Sequence, residues 1–347
     1  MKNKFKIYSL LLVCMITFLM SCDKREQNIN FPPGISDNVS TVATKQGLNI
    51  FAAAIKIAKM DTAFQYLGQY TIFAPTDAAF TAAGITTANL SSVPEATLRT
   101  ILRNHILPGR TTAFNFLPGP NAVYANINRD FIFASTYLST TAGVGPFAGV
   151  YFNGVKIVST DFLANNGVIH TINGLLLPAA GNISATIALN PNLSYLGAAL
   201  VTSGLDVTLN NLNGVVTLLA PNNAAFIAAG FPTIASINAA SPATLATILR
   251  LHVIPAASVP FARGNGRLFT PDFRAGTYVS LGGANVTTTI NGIIAGLRGP
   301  SSTADAVIVT PNILFRTLFV SAPANTPPPP GVGASSVLHV IDRVLLP

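Results

Sequence analysis

The chain has 347 residues, enough for two domains of ordinary size; half of it is hydrophobic and only 9% is charged. That charge density is low for a cytosolic enzyme, and frequent Gly and Pro with no Trp suit many short strands joined by turns, with some helix. The formal charge of +8 is scattered with no basic block, which argues against a nucleic-acid partner.

The first 21 residues stand apart. Lys2, Lys4 and Lys6 precede the apolar run Ile7–Leu19, which is too short to span a bilayer comfortably as a helix. Leu19-Met20-Ser21-Cys22 follows, and it resembles a bacterial lipoprotein signal in which Cys22 is lipidated and begins the mature chain. Cys14 leaves with the signal, so the mature chain is expected to carry neither a disulfide nor a thiol nucleophile. Removing the three lysines leaves 17 basic residues against 12 acidic ones, a net of +5 read as solvated surface. Residues 22–38, polar and containing Pro32-Pro33-Gly34, read as a tether between membrane and first domain.

The rest of the chain is written twice. "TIFAPTDAAF" (71–80) is matched by "TLLAPNNAAF" (217–226). Each reads as a strand broken by Ala-Pro at Pro75 or Pro221. Thr76-Asp77 and Asn222-Asn223 are then expected to cap short helices starting at Ala78 and Ala224, with Phe80 and Phe226 as core anchors. Asp and Asn both supply a short acceptor, so the copies can differ in charge at this position and agree in structure.

A helix follows in each copy. Leu98, Ile101 and Leu102, and Leu245, Ile248 and Leu249, have the spacing of one buried face. Ser241 is a plausible N-cap with Pro242 at the first helical position, and Pro108 and Pro255 are expected to stop the two helices. Each copy closes on a strand rich in β-branched residues, "NGVIHTINGLLLP" (166–178) and "SSVLHVIDRVLLP" (335–347). All four histidines fall in these shared elements: His105 and His170 in one copy, His252 and His339 in the other. The second copy is longer between its histidines, with 299–302 and the Pro-rich stretch 322–334 as natural places for the excess.

A lone His among Leu, Ile and Val is read as a core residue whose ring nitrogens tie neighbouring backbone. No His-x-x-x-His and no mature Cys pair points to zinc, so no metal or cofactor is expected. Glu26 and Glu95 are the only glutamates, no carboxylate pair suggests glycoside hydrolysis, and there is neither a Gly-x-Ser-x-Gly elbow nor a P-loop. No catalytic residue is assigned.

These elements resemble the fasciclin-like domain. The first signature is carried by Thr71, Pro75, Asp77 and Phe80 and again by Thr217, Pro221, Asn223 and Phe226; the second by Leu102–Pro108 and Leu249–Pro255. The resemblance implies an α+β protein of two tandem domains, residues 39–179 and 184–347, each a β-wedge or sandwich with packed helices. It further implies adhesion or ligand binding at cell surfaces, through a protein or glycan partner, without catalysis. The second copy departs from the pattern where Asn223 matches Asp77 and Asn312 matches Asp161. Asn104 and Leu251 precede the first histidines, where integrin-binding animal relatives have Tyr, so integrin binding is not carried over. With the anchor, the expected setting is the outer membrane of a diderm bacterium. The loop 322–334 is the candidate recognition surface. The alternative function is an accessory subunit of an envelope nutrient-uptake or polysaccharide-handling complex.

Overall fold

A computed structural model describes residues 36–61, 69–137, 148–179, 181–212, 214–259, 266–291, 294–316 and 335–347. Cys22, most of the tether and the 322–334 loop lie outside the described residues. Asp37–Pro347 forms one compact unit.

The first repeat runs α1 (Val39–Lys45), α2 (Asn49–Ile57), β1 (Tyr70–Pro75), α3 (Asp77–Ala82), α4 (Glu95–Asn104), β2 (Ile106–Pro108), a 3-10 turn (Ala113–Asn115), β3 (Gly119–Ala125), β4 (Phe131–Tyr137), β5 (Gly149–Phe152), β6 (Val155–Ala164) and β7 (Gly167–Ile172). The second runs α5 (Ile183–Ala188), α6 (Ser194–Ser203), α7 (Leu205–Asn210), β8 (Val216–Pro221), α8 (Asn223–Ala228), α9 (Ile234–Asn238), α10 (Pro242–Leu251), β9 (Val253–Pro255), a 3-10 turn (Thr270–Asp272), β10 (Gly276–Val279), β11 (Asn285–Asn291), β12 (Ile294–Arg298), β13 (Ala306–Arg316) and β14 (Ser335–Ile341).

Each repeat is α+β with a seven-stranded sheet, and the two strand orders coincide: β2-β1-β7-β6-β5-β4-β3 and β9-β8-β14-β13-β12-β11-β10. Only β1 with β7 and β8 with β14 pair in parallel among the described strands. Those central strands are covered on both faces, which is why β7 and β14 are buried throughout and show no alternation of buried and exposed positions.

The period-two geometry of β1 divides the core. Ile72 and Ala74 face the helices with Phe51, Ile55, Phe80, Leu98 and Leu102, while Phe73 faces the wedge with Phe116, Phe152 and Ile172. The second repeat divides likewise, with Leu218 and Ala220 towards the helices and Leu219 towards the wedge.

β6 and β13 each carry irregular register ahead of the closing strand. The residues that absorb it, Asp161 and Asn312, adopt left-handed backbone at φ +65° and +61°. Asp and Asn tolerate that conformation because their short polar side chains bond locally. The expected extra length at 299–302 is present: β12 and β13 are joined by residues 299–305, whereas Asn153-Gly154 alone joins β5 to β6.

One expectation needs correction. The helices do not run to Pro108 and Pro255; they end at Asn104 and Leu251, and the prolines close the three-residue strands β2 and β9. A histidine at each C-cap, described next, terminates the helix before the proline is reached.

Candidate functional site

Thr71 and Thr217 are fully buried in β1 and β8. The Thr71 hydroxyl donates to Gly109 O at 2.7 Å and accepts from Thr111 N at 2.8 Å; the Thr217 hydroxyl accepts from Leu268 N at 3.0 Å. Pro75 and Pro221 are the last residues of their strands, and Phe80 and Phe226 are buried in the helical cores.

Asp77 and Asn223 have a different job from the expected one. The caps of α3 and α8 are Thr76 and Asn222, whose side chains accept from Ala79 N and Ala225 N, so the helices begin at Asp77 and Asn223 themselves. This frees the two side chains to reach a neighbouring helix. Asp77 Oδ1 accepts from Ile50 N in α2 at 2.8 Å, and Asn223 Oδ1 accepts from Tyr195 N in α6 at 3.0 Å. Both acceptors satisfy an orphan amide in the first turn of a helix whose own N-cap is leucine, Leu48 or Leu193. Asn223 Nδ2 also donates to Pro191 O and Ser194 Oγ, both at 3.0 Å, which a carboxylate cannot do.

His105 and His252 sit at the C-caps of α4 and α10. Each Nδ1 lies 2.8 Å or 2.9 Å from the carbonyl four residues back, Ile101 O or Ile248 O, and so carries the proton. Each Nε2 then accepts from the closing segment of its own repeat, from Leu176 N at 2.8 Å and from Leu345 N at 2.9 Å. The ring therefore bolts the end of a helix to the last residues of the repeat. Burial pushes both imidazoles down to about 4, so they are neutral.

His170 and His339 use the other tautomer. Nε2 donates to Thr111 O at 2.9 Å or Leu268 O at 2.6 Å, and Nδ1 accepts from the amide of the left-handed residue, Asp161 N or Asn312 N, at 3.3 Å. The Asp161 and Asn312 side chains in turn hold the 3-10 turns, accepting from Ala113 N and Thr270 N at 2.9 Å. Phe116 and Phe273 stand edge-on to these imidazoles at 5.3 Å and 5.4 Å. Burial lowers the His170 pKa and takes His339 down to about 4. The four imidazoles are fully buried, each spending both ring nitrogens on backbone of its own repeat. Among the described residues no group of three or more His, Cys, Asp or Glu is placed to hold a metal ion.

Residues 46–178 and 191–347 match the fasciclin domain family. The chain belongs to that family. It is 34% identical over 177 residues to transforming growth factor-beta-induced protein ig-h3 of Sus scrofa, covering 50% of this chain and 24% of that protein. It is 31% identical over 142 residues to protein sll1483 of a Synechocystis strain, covering 40% of this chain and 72% of that protein. A solved FAS1 domain pair from the insect cell adhesion molecule fasciclin I is similar over 88% of this chain and 98% of that chain, at 15% identity and a TM-score of 0.35. The chain thus spans about a quarter of the ig-h3 protein it matches. Fasciclin domains are extracellular modules associated with cell adhesion.

Sequence reasoning missed how the two fasciclin domains meet. Strands β3 and β4 of the first domain present Asn121, Phe133 and Tyr137 to the 267–274 segment of the second. The Arg267 guanidinium lies 3.9 Å from the Phe133 ring centre, Phe269 stacks on Phe133 at 6.1 Å, and Arg274 covers Tyr137 at 4.4 Å. Asp272, fully buried, accepts from Tyr137 Oη at 2.6 Å and from Phe269 N at 3.0 Å. Burial pushes its carboxyl up to about 6 and takes Arg267 down to about 9. Asn121 Nδ2 donates to Arg267 O at 2.9 Å. Phe133, Phe269, Leu314 and Val337 form one apolar cluster across the junction. Gly154, at φ +78°, approaches so closely that a Cβ there would fall on the Asn312 side-chain amide. The available signal was Arg267 and Asp272, two charges inside the otherwise apolar run "RLFTPDF" of a chain poor in charge.

A cavity of about 280 Å³ opens between α5, α6 and α7 of the second domain, lined by Ile187, Pro191, Gly197, Leu200, Val201 and Asp206 among others. None of the motif residues lines it.

Proposed function

We propose that the protein is a lipid-anchored cell-surface adhesion module: two non-catalytic fasciclin domains, 39–179 and 184–347, held at the outer membrane through Cys22 and binding a protein or glycan outside the cell. The observation that carries this reading is the complete commitment of the motif imidazoles to internal braces. The residues that define the domain hold its interior, so recognition falls to the outward segments that differ between the copies. The 322–334 loop is retained as one such segment. Acylation of Cys22 supplies the membrane hold, at about 0.8 kcal/mol for each buried CH₂.

The test uses the soluble chain beginning at residue 23, offered to a glycan array and to envelope protein extracts. His105→Ala is expected to lower the melting temperature and leave captured ligands unchanged. Loss of capture at an unchanged melting temperature would move the histidines into a ligand site and defeat the proposal. Cys22→Ala in cells is expected to release the protein from membranes, and persistent membrane association of that variant would contradict the anchor.

A further inference from the structure

The junction between the domains is one contact of a kind the chain is built to make twice. The two domains correspond residue by residue around it. Thr111 O and Leu268 O accept from the second histidine of their domains, and Leu117 N and Arg274 N donate to the Tyr124 and Tyr278 hydroxyls at 3.1 Å and 3.0 Å. On that alignment the 267–274 segment, which docks on the first domain, corresponds to 110–117. Its landing strip pairs Val123 with Phe133, and the matching pair in the second domain is Thr277 with Thr287.

Each half of the contact therefore exists twice, and the chain uses each once. The unused loop half lies on the first domain. Phe114 is 96% exposed, Leu117 53% and Leu163 38%. Their second-domain counterparts are occupied: Pro271 is buried, Arg274 covers Tyr137, and Leu314 is 7% exposed within the junction cluster. The segments that carry the three exposed side chains are tied together, since Ala113 N bonds the carboxylate of Asp161, two residues before Leu163. The unused sheet half lies on the second domain, where Thr277, Val279, Asn285, Thr287 and Thr289 of β10 and β11 are exposed.

We propose that a second copy of this chain occupies the free loop: the Phe114–Leu117 segment of one molecule docks on the β10–β11 face of the next, repeating between molecules the contact made once within each. This rests on the adhesion reading and gives it a partner. The two halves differ in kind, so the contact is heterologous and propagates head to tail instead of closing as a symmetric dimer. It is also weaker than the internal one. Thr112 stands where Phe269 does and Thr287 where Phe133 does, so the aromatic stack and the cation–π contact are lost and apolar side chains on threonine methyls remain. With the aromatic anchors gone, a dissociation constant of roughly 0.1–1 mM is expected. On a surface crowded with anchored copies, many such contacts act together.

The experiment uses the soluble mature chain with Cys22→Ala, which carries no other thiol. Thr112→Cys and Thr287→Cys variants, which stand where Phe269 and Phe133 meet inside the molecule, are mixed under mild oxidation, with Thr112→Cys plus Thr244→Cys, an exposed helical position, as control. The expected result is a mixed disulfide at least tenfold above the control, together with a sedimentation-average mass that rises with concentration. Phe114→Asp should abolish both at an unchanged melting temperature, since the ring makes no interior contact to lose. Equal cross-linking in both mixtures, or a strictly monomeric chain at about 1 mM, overturns self-docking. A monomer that still captures a glycan or foreign protein leaves the adhesion reading standing; one that captures neither fails both. Loss of foreign capture in Phe114→Asp, without self-association in the parent, assigns the patch to another partner and likewise overturns the proposal.

Discussion

The two fasciclin domains share their principal internal braces and almost none of their outward faces. Thr71 and Thr217, Asp77 and Asn223, and the paired histidines make the same bonds to equivalent backbone. On the β3–β4 face, by contrast, Phe133 and Tyr137 lie beneath the second domain, while the matching β10–β11 face offers threonines to solvent. After duplication, the constraint that persists is the satisfaction of buried polar groups, because an orphaned one costs about 1–3 kcal/mol. Surface chemistry carries no such penalty and is set by what covers it.

Acid should break the comparison most forcefully. Unfolded imidazoles take up protons below about pH 6.5, whereas native His105, His252 and His339 stay neutral until about 4. Stability is therefore lost as pH falls through that window and no further below it, at about 3 kcal/mol for each histidine. Asp272 runs the other way: its native carboxyl, raised to about 6 by burial, keeps a proton that the unfolded chain releases down to about 3.8. It restores about 3 kcal/mol as pH falls from 6 to 4. The net expectation is a loss of roughly 5 kcal/mol or more between pH 7 and pH 4, read from urea midpoints. A flat profile would mean that the imidazoles titrate freely.

Phe133→Ala should cost about 3–5 kcal/mol by opening a cavity at the junction, whereas the equivalent Thr287→Ala should stay within about 0.5 kcal/mol. Equal effects would show that the junction contributes nothing to folding. His252→Ala removes a brace and leaves Leu345 N without its acceptor, for a loss of about 2–4 kcal/mol in thermal or urea unfolding. The smallest and sharpest comparison exchanges the N1 residues. Asp77→Asn keeps the acceptor for Ile50 N and should shift stability by less than about 0.5 kcal/mol. Asn223→Asp loses the donors to Pro191 O and Ser194 Oγ and should cost about 1 kcal/mol. A reversed order would deny that the amide matters.

The scaffold was legible because it is written twice: matched Pro, Phe and His positions fix strand ends, core anchors and braces without any reference to surface. Asp77 was misread by one residue. A cap and the position after it are adjacent in sequence, yet their side chains leave the helix in different directions, and only three-dimensional structure shows α2 waiting for the second. The junction left only a faint trace, the charges Arg267 and Asp272 in a chain poor in charge, and nothing in the sequence named their partners. Asp272 meets Tyr137 across 135 residues, and neither belongs to a repeated motif.

The parallel pairing of β14 with β8 has a kinetic consequence. The strand at 335–341 occupies the middle of its sheet, between β8 and β13, although it comes last in its repeat. The helices can coil locally as the chain is made, but the sheet stays open until that final strand inserts. Closing so long a loop is slow. During that interval the edges of β8 and β13 are bare backbone, and the chain is then most exposed to proteases and to mispairing with its neighbours.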